Sequence, residues 1–397
     1  MKRTQRELAG SGCLAGSGFA TGGDAAYDAV EQAVEEVGGT ASLVLVFPPG
    51  RLAPELALAQ AESAALSAPV AGMTSDGVIG LDGLLPDGCA AIAFDLSVAA
   101  SVGRAAQVSI DPEAAGRAAA AEALTGLDVT SGHPLVLVFL DPDSADYADV
   151  IAGVYEITGA RVPIAGGGAN APFGNRSVSP ALLGGGRVCR DCVVVVALVS
   201  PRPIAIGITH GCHLRGVPAI VTRSDGRSIK ALNGRPAEHV FLEAIGAADE
   251  GVDTAAFERL AALHPLAQFE LGGGFRLRHV RGRSPGGGLR CATTVPENAA
   301  IGFTEQTTAS ISASSRAAVR QALAELNAPA RAALVFDCAA RRRIPPDEDA
   351  LATQIDALTS SFATPHPVVG MYTRGEVGRL RGAVGDLNHV VVVAAFA

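Results

Sequence analysis

The chain has 397 residues, 48% of them hydrophobic and 18% charged, with 4% aromatic and no tryptophan. Two or three domains of about 150 residues fit that length, and so apolar a chain is not disordered. A net charge of −9 argues against a nucleic-acid partner or an anionic membrane surface, and the scarce aromatics give no stacking platform for single strands.

Met1-Lys2-Arg3 is followed by Thr4, Gln5, Arg6 and Glu7 where a signal peptide would be apolar. The apolar runs, such as residues 192–199, fall far short of the ~20 residues of a membrane span. A cytoplasmic protein is expected. Residues 1–29, rich in Gly and Ser at their start, are read as a partly disordered N-terminal segment.

From there a pattern recurs three times. Leu43-Val44-Leu45-Val46-Phe47, Leu135-Val136-Leu137-Val138-Phe139 and Ala333-Leu334-Val335-Phe336-Asp337 are short apolar runs. Each is followed by a helical stretch and then by a second strand, at Pro69-Val70-Ala71-Gly72, Pro163-Ile164-Ala165-Gly166 and Pro367-Val368-Val369-Gly370. Ala-rich helices precede the copies at 24–37, 111–124 and 312–326, with Asp24 and Asp111 as expected N-caps. Apolar strands close them at 90–94, 193–199 and 389–396. The pattern predicts an α/β fold of internally repeated strand-helix-strand units in mostly parallel or mixed sheets. The domains expected are 30–232 and 233–397. Residues 275–295, bounded by Gly272-Gly273-Gly274 and Gly286-Gly287-Gly288, read as a hairpin or long loop opening the second.

Seven cysteines without regular spacing suggest free thiols in a reducing compartment. Cys189-Arg190-Asp191-Cys192 is a lone C-x-x-C, for which a zinc site with Cys212 and His213 is the minor reading; the favoured one starts a buried strand at Cys192.

Ligands of open parallel sheets collect beyond the carboxyl ends of the strands. The third copy carries the most chemistry there. Arg341 offers a planar fork for a carboxylate, Glu376 an acceptor for an ammonium, and Cys338, Tyr372 and Thr373 short polar contacts, a set suited to an amino acid. The alternative is a salt bridge between Arg341 and Glu376 alone. Replacing Arg341 by Ala is expected to abolish binding and leave the protein folded. Arg342 and Arg343 are read as solvated. Gly167, Gly168 and Asn170 form a second candidate loop, either bringing backbone N–H groups to an anion or making a tight turn. Cys338 is also the candidate nucleophile of a cysteine-dependent enzyme, its pKa lowered by Arg341, with His366 or His389 as partner. No G-x-S-x-G, His-Glu-x-x-His or phosphate-loop motif is present, and a non-enzymatic role is favoured. His210 and His213 would share a helix face as metal or haem ligands, but the flanking glycines argue against a helix.

Several segments resemble the FIST family of bacterial sensory domains. Phe336-Asp337-Cys338-Ala339-Ala340-Arg341 is similar to its F-D-C-x-x-R segment, and Gly370-Met371-Tyr372-Thr373-Arg374-Gly375-Glu376 to its G-[FM]-Y-T-x-G-E segment. Leu387-Asn388-His389 resembles the closing stretch, with Val391 in place of the usual Thr. Residues 221–237 and 163–170 resemble the N-terminal domain of the family, and His210-Gly211-Cys212 one of its loops. The resemblance runs from about residue 30 to the C-terminus and implies a sensor of a small ligand, with amino acids suggested. It also implies an alternative, a haem-binding nitric oxide sensor with His210 as the candidate ligand. The FIST pattern occupies the chain, so output is expected through a separate partner such as a histidine kinase. No other cofactor is predicted.

Overall fold

The structure is a computed structural model that describes residues 13–172, 178–248, 251–362, 366–380 and 383–397. Three units share one order of elements. The first runs β1 (Ala15–Ala20), α1 (Ala25–Glu36), β2 (Leu43–Phe47), α2 (Pro54–Ala65), β3 (Val70–Met73), a hairpin of β4 (Val78–Gly80) and β5 (Gly83–Leu85), and β6 (Cys89–Phe94). The second runs β7 (Ala99–Ala106), α3 (Pro112–Leu124), β8 (His133–Leu140), α4 (Tyr147–Thr158), β9 (Ile164–Gly168), β10 (Leu182–Gly184), β11 (Arg187–Cys189) and β12 (Cys192–Ser200).

The third begins at β13 (Ile204–His210) and is then interrupted. The inserted unit contains β14 (His213–Asp225), β15 (Ser228–Leu232), β16 (Arg235–Pro236), α5 (Ala237–Ile245), α6 (Thr254–Leu263), β17 (Leu266–Phe269), β18 (Phe275–Arg278), β19 (Val280–Ser284), β20 (Gly288–Cys291) and β21 (Ala300–Glu305). The third unit resumes with α7 (Thr308–Leu326), β22 (Ala332–Cys338), a 3-10 turn (Arg341–Arg343), α8 (Glu348–Thr359), β23 (Val368–Thr373), β24 (Glu376–Leu380), β25 (Ala383–Leu387) and β26 (Val390–Phe396).

Each repeat thus builds a sheet whose central pair is parallel, β2 with β3, β8 with β9 and β22 with β23. The closing strand runs antiparallel to it. The expected mixed α/β architecture is therefore present. The far edge of every sheet comes from another unit: β10 adds to β3, β24 to β9 and β4 to β23. The three hairpins are exchanged in a ring, so no unit completes its own sheet.

Period-two alternation then sorts the side chains. Leu43, Leu45 and Phe47 of β2, Leu135, Leu137 and Phe139 of β8, and Leu334 and Phe336 of β22 face one shared core between the sheets. Phe139 lies between Phe47 and Phe336, with ring centroids 6.0 and 6.4 Å away. The alternate residues meet the Ala-rich helices, α1 and α2 on the first sheet, α3 and α4 on the second, and α7 and α8 on the third. The eight strands of the inserted unit, with α5 and α6, hold a core of their own.

Three expectations are corrected. Residues 15–20, assigned to the loose N-terminal segment, form β1 on the edge of the first sheet; residues 1–12 of that segment lie outside the described residues. Asp111 caps α3 through Ala114 N at 3.0 Å, but Asp24 makes no capping bond. Cys189 and Cys192 are joined as a disulfide rather than free, while Cys192 does start a buried strand. Gly272-Gly273-Gly274 and Gly286-Gly287 do turn the hairpins of β17 with β18 and β19 with β20. Among the described residues, no helix is long and apolar enough to cross a membrane.

The first strand of every unit carries a glycine where its helix crosses. A β-carbon on Gly18, Gly103 or Gly207 would stand 1.9, 2.1 or 1.9 Å from the carbonyl oxygen of Ala29, Ala119 or Ala318. Backbone against backbone leaves no flexible side chain to give way. Gly207→Ala is expected to lower stability in urea unfolding by about 1–3 kcal/mol or more, the cost of overpacking, whereas Gly23→Ala, where nothing lies within 4 Å, leaves the midpoint within experimental error.

Candidate functional site

The carboxyl ends of β3, β9 and β23 interlock on the side of the shared core where the hairpins cross. Asn170 N donates to Thr74 O (2.8 Å), Gly168 N to Gly375 O (2.9 Å) and Arg374 N to Gly168 O (3.0 Å). Ser75 Oγ accepts from Tyr372 N at 3.1 Å and donates to Gly77 O at 2.8 Å.

Strand register makes the three ends comparable position by position. Met73, Gly167 and Met371 pair with Leu182, Glu376 and Val78 respectively. Glu376 therefore stands where the other hairpins place Leu182 and Val78, both members of the shared apolar core. A carboxyl group in an apolar position is the clearest asymmetry of the third unit.

Glu376 is fully buried. Burial pushes its carboxyl well above the usual range, with nearby Asp337 adding to the effect. The hydrogen bonds agree. Thr373 Oγ1 lies 2.8 Å from Glu376 Oε1 and 3.2 Å from Asp337 O. One hydroxyl proton cannot serve both acceptors. With Glu376 protonated, its O–H donates to Thr373 and Thr373 donates to the carbonyl, so the neutral acid satisfies the chain. Oε2 makes no hydrogen bond of good geometry, although the Cys338 thiol and the Val390 amide face the carboxyl.

Arg341 is also fully buried, and its partner is Asp337 rather than Glu376. Nε donates to Asp337 Oδ1 at 2.6 Å, Nη1 to Ser314 Oγ at 2.9 Å and Nη2 to Ser315 Oγ at 2.9 Å. The 3-10 turn folds the guanidinium back under β22 and ties the strand end to α7. Truncation of Arg341 would leave the buried Asp337 without its ion-pair partner at a cost of about 3–5 kcal/mol. The expectation that Arg341→Ala stays folded is thereby corrected. Arg342 is a second correction: it pairs with Asp76 at 3.2 Å and lies over the Tyr372 ring at 5.2 Å, while Arg343 is exposed.

Tyr372 is fully buried and its hydroxyl has no hydrogen-bond partner among the described residues. Asn170 is 4% exposed; its Oδ1 accepts from Ala171 N, and its Nδ2 has no partner among the described residues. Gly167 and Gly168 are buried, and the Gly168 N–H is spent on Gly375. A β-carbon on Gly168 would meet the Tyr147 hydroxyl at 1.8 Å, so this loop takes the close-approach reading.

Cys338 is 5% exposed. Burial and then Glu376 push its thiol well above 9.0, the reverse of the expected lowering, because Arg341 is committed to Asp337. His366 packs on Phe362 with ring centroids 5.2 Å apart.

Sequence reading missed the polar seam between the third sheet and the inserted unit. Cys212 Sγ donates to Gln306 Oε1 (3.4 Å), Gln306 Nε2 reaches His389 Nδ1 (2.9 Å), and His389 Nε2 reaches His279 Nδ1 (2.8 Å). Gln306 donates to Nδ1, so the His389 proton sits on Nε2. Burial pushes both imidazoles down, which keeps them neutral. Arg278 Nη1 donates to the buried Asp386 at 3.0 Å. The legible signal was Asn388-His389 inside an apolar strand approach; their partners lie about 110 and 80 residues upstream, beyond any local pattern.

His210 ends β13 and His213 begins β14, so the two share no helix. The His210 ring lies half-buried 5.1 Å from Phe275, with Nδ1 accepting from Cys212 N, and His213 is exposed. Surface depressions of about 440 Å³ beside Glu62, Leu66 and Gly186, and of about 420 Å³ beside Arg223 and Arg235, include neither His210 nor the strand-end residues. No group of three metal-binding side chains occurs among the described residues.

The fold and its strand-end cluster define an α/β protein of two matched domains. FIST N domain matches residues 42–235 and FIST C domain residues 237–379, so the chain belongs to the FIST family, whose domains are associated with signal transduction and small-ligand sensing. An uncharacterized protein of Mycobacterium tuberculosis is 29% identical over 197 residues, 48% of this chain and 50% of that protein. One of Mycobacterium bovis is 29% identical over 204 residues, 48% and 49% of the two chains. The alignment thus spans about half the length of these relatives. A cyanuric acid hydrolase structure from A. caulinodans aligns over 96% of this chain and 99% of its own, at 11% identity and a TM-score of 0.35, too low to bear on fold or function.

A neutral buried acid gives a signed pH dependence. The unfolded chain loses the Glu376 proton above about 4.5, while the folded chain retains it to a higher pH. This group's contribution to stability is therefore lost as pH rises through that window, by up to about 1.4 kcal/mol per unit. Glu376→Gln removes the loss. The stability of the variant relative to wild type, followed by urea unfolding from pH 4.5 to 8, is expected to increase with pH; a constant difference would mean that Glu376 is ionised in the folded protein.

Proposed function

We propose that the protein is a small-ligand-binding sensor for intracellular signal transduction, that its ligand is an amino acid or related small carboxylate, and that it signals through a separate protein such as a histidine kinase. The observation that supports this reading is that three buried polar atoms at the strand ends, Tyr372 OH, Glu376 Oε2 and Asn170 Nδ2, make no hydrogen bond of good geometry among the described residues. Each such group costs about 1–3 kcal/mol in an apolar interior. Sites that await a ligand tolerate the cost because the ligand supplies the missing partners. Glu376, neutral in the closed site, would ionise on meeting an ammonium group.

These residues are enclosed, so entry requires opening. The polar seam of His279, His389, Gln306, Arg278 and Asp386 is the interface that opens when the inserted unit moves. A ligand that prefers the closed arrangement shifts the population toward it and alters the surface offered to a partner. For the enzymatic alternative, Cys338 would have to act from a buried, neutral thiol. For the haem alternative, His210 offers a neutral imidazole beside Phe275, and neither depression reaches it.

A thermal-shift screen against amino acids, small carboxylates, nucleotides and hemin tests the reading. An amino acid or small carboxylate at about 100 times its Kd is expected to stabilise the protein by about 2.7 kcal/mol, a shift of a few degrees. Glu376→Gln is expected to weaken an amino acid by tenfold or more and to spare acids without an amine. Stabilisation by hemin alone, with a Soret band lost on replacing His210, would contradict the proposal in favour of haem, and turnover blocked by a thiol reagent would favour the enzyme.

A further inference from the structure

Three separate parts of the chain meet above the buried cluster. Arg281 comes from β19 of the inserted unit, Arg374 from the turn between β23 and β24, and Asp143 from the loop after β8. Arg281 Nη1 lies 3.9 Å from Asp143 Oδ1, and Arg374 Nη1 lies 3.5 Å from Asp143 Oδ2. The arginine side chains are 27% and 34% exposed, whereas Asp143 is 59% exposed. Among the described residues, no other acidic side chain lies within ion-pair distance of either guanidinium. Two partly desolvated cations thus share one solvated carboxylate through long contacts. Burial, and then the neighbouring Arg374, push the Arg281 pKa down, as under-neutralised charge requires.

The positive field continues inward. Arg281, Arg343 and Arg374 all act on His279, which is hydrogen-bonded to His389. Tyr147, whose hydroxyl donates to Arg374 O at 2.8 Å, lies in the combined field of Arg281, Arg374, Asp141 and Glu376. Arg374 thus lies two residues before Glu376 with its side chain partly exposed.

We propose that Arg281 and Arg374 form an oxyanion-binding gate, that the tethered carboxylate of Asp143 occupies it loosely in the free protein, and that the carboxylate or phosphate group of a small ligand displaces Asp143. An arginine pair suits this role because each planar fork can donate two parallel hydrogen bonds to one oxyanion. Asp143 holds only long single contacts and is largely solvated, so its displacement forfeits little. One anion held by residues of the inserted unit and the third unit would clamp the two together, which links binding to closure. The inference rests on the protein being a small-ligand binder and adds to it the residues that recognise the anionic end.

Calorimetry on the full chain at low ionic strength, with succinate, inorganic phosphate and an amino-acid amide as probes, tests it. Asp143→Asn, an exposed change, is expected to tighten succinate or phosphate binding at least threefold by removing the internal competitor. Arg281→Gln and Arg374→Gln are each expected to weaken it tenfold or more, and Arg320→Gln, on the exposed face of α7, to leave it unchanged. Succinate winning over phosphate assigns a carboxylate ligand, and the reverse a phosphorylated one. Unchanged or weaker anion binding in Asp143→Asn, or normal binding in both gate variants, overturns the gate. Binding of the amide without binding of either anion overturns the gate and leaves the small-ligand reading standing; binding of no probe to wild type or to Asp143→Asn contradicts both.

Discussion

Each of the three repeat sheets is apolar on both faces, and one helical layer covers only one of them. The structure closes the second face by turning the three sheets on one another around Phe47, Phe139 and Phe336. Everything else depends on that mutual burial. It explains why the hairpins are exchanged: the three-residue strands of β4 with β5 and of β10 with β11 form ladders too short to stand alone, and β4 and β10 anchor them on the sheet of a neighbouring unit. It also explains the glycines under the first-strand helices, because covering the outer faces closely leaves no room for a β-carbon there.

Against that apolar frame, the third unit departs from the other two at a few positions. Glu376 occupies the place of Val78 and Leu182, and the Asp337–Arg341 pair is buried with the hydroxyls of Ser314 and Ser315. The two departures differ in kind. Arg341 and Asp337 neutralise each other and are held by further donors, so they stabilise a strand end. Among the described residues Glu376 pairs with no cation and its burial favours the protonated form, while Tyr372, on the helix-covered face of the third sheet, and Asn170, beyond the end of β9, leave polar atoms without partners.

The apolar runs and their spacing made the repeats legible, and with them the mixed α/β class. The hairpin exchange was not legible, since residues 78–80 carry too little pattern to name a partner nearly 300 residues away. Cys338 and Thr373 were recognisable together because they end adjacent parallel strands and pair in register, whereas Glu376 starts β24 on the neighbouring sheet and Tyr372 turns to the helix-covered face. The partner of Arg341 was missed because the intervening 3-10 turn brings it back to Asp337, four residues earlier, instead of across to the next strand. The seam of Gln306, His279 and His389 was invisible for a related reason. It joins the inserted unit to the third sheet, and neither side displays its partner in the local sequence.

The central claim is that a small acid enters at the strand ends of the third unit and holds the inserted unit against it. Backbone amide hydrogen exchange, with and without a saturating amount of the most stabilising acid, tests this directly. The account predicts slowed exchange at residues 373–377 and 278–281, on the two sides of the seam. Binding that leaves both segments unchanged while protecting another part of the chain would contradict it.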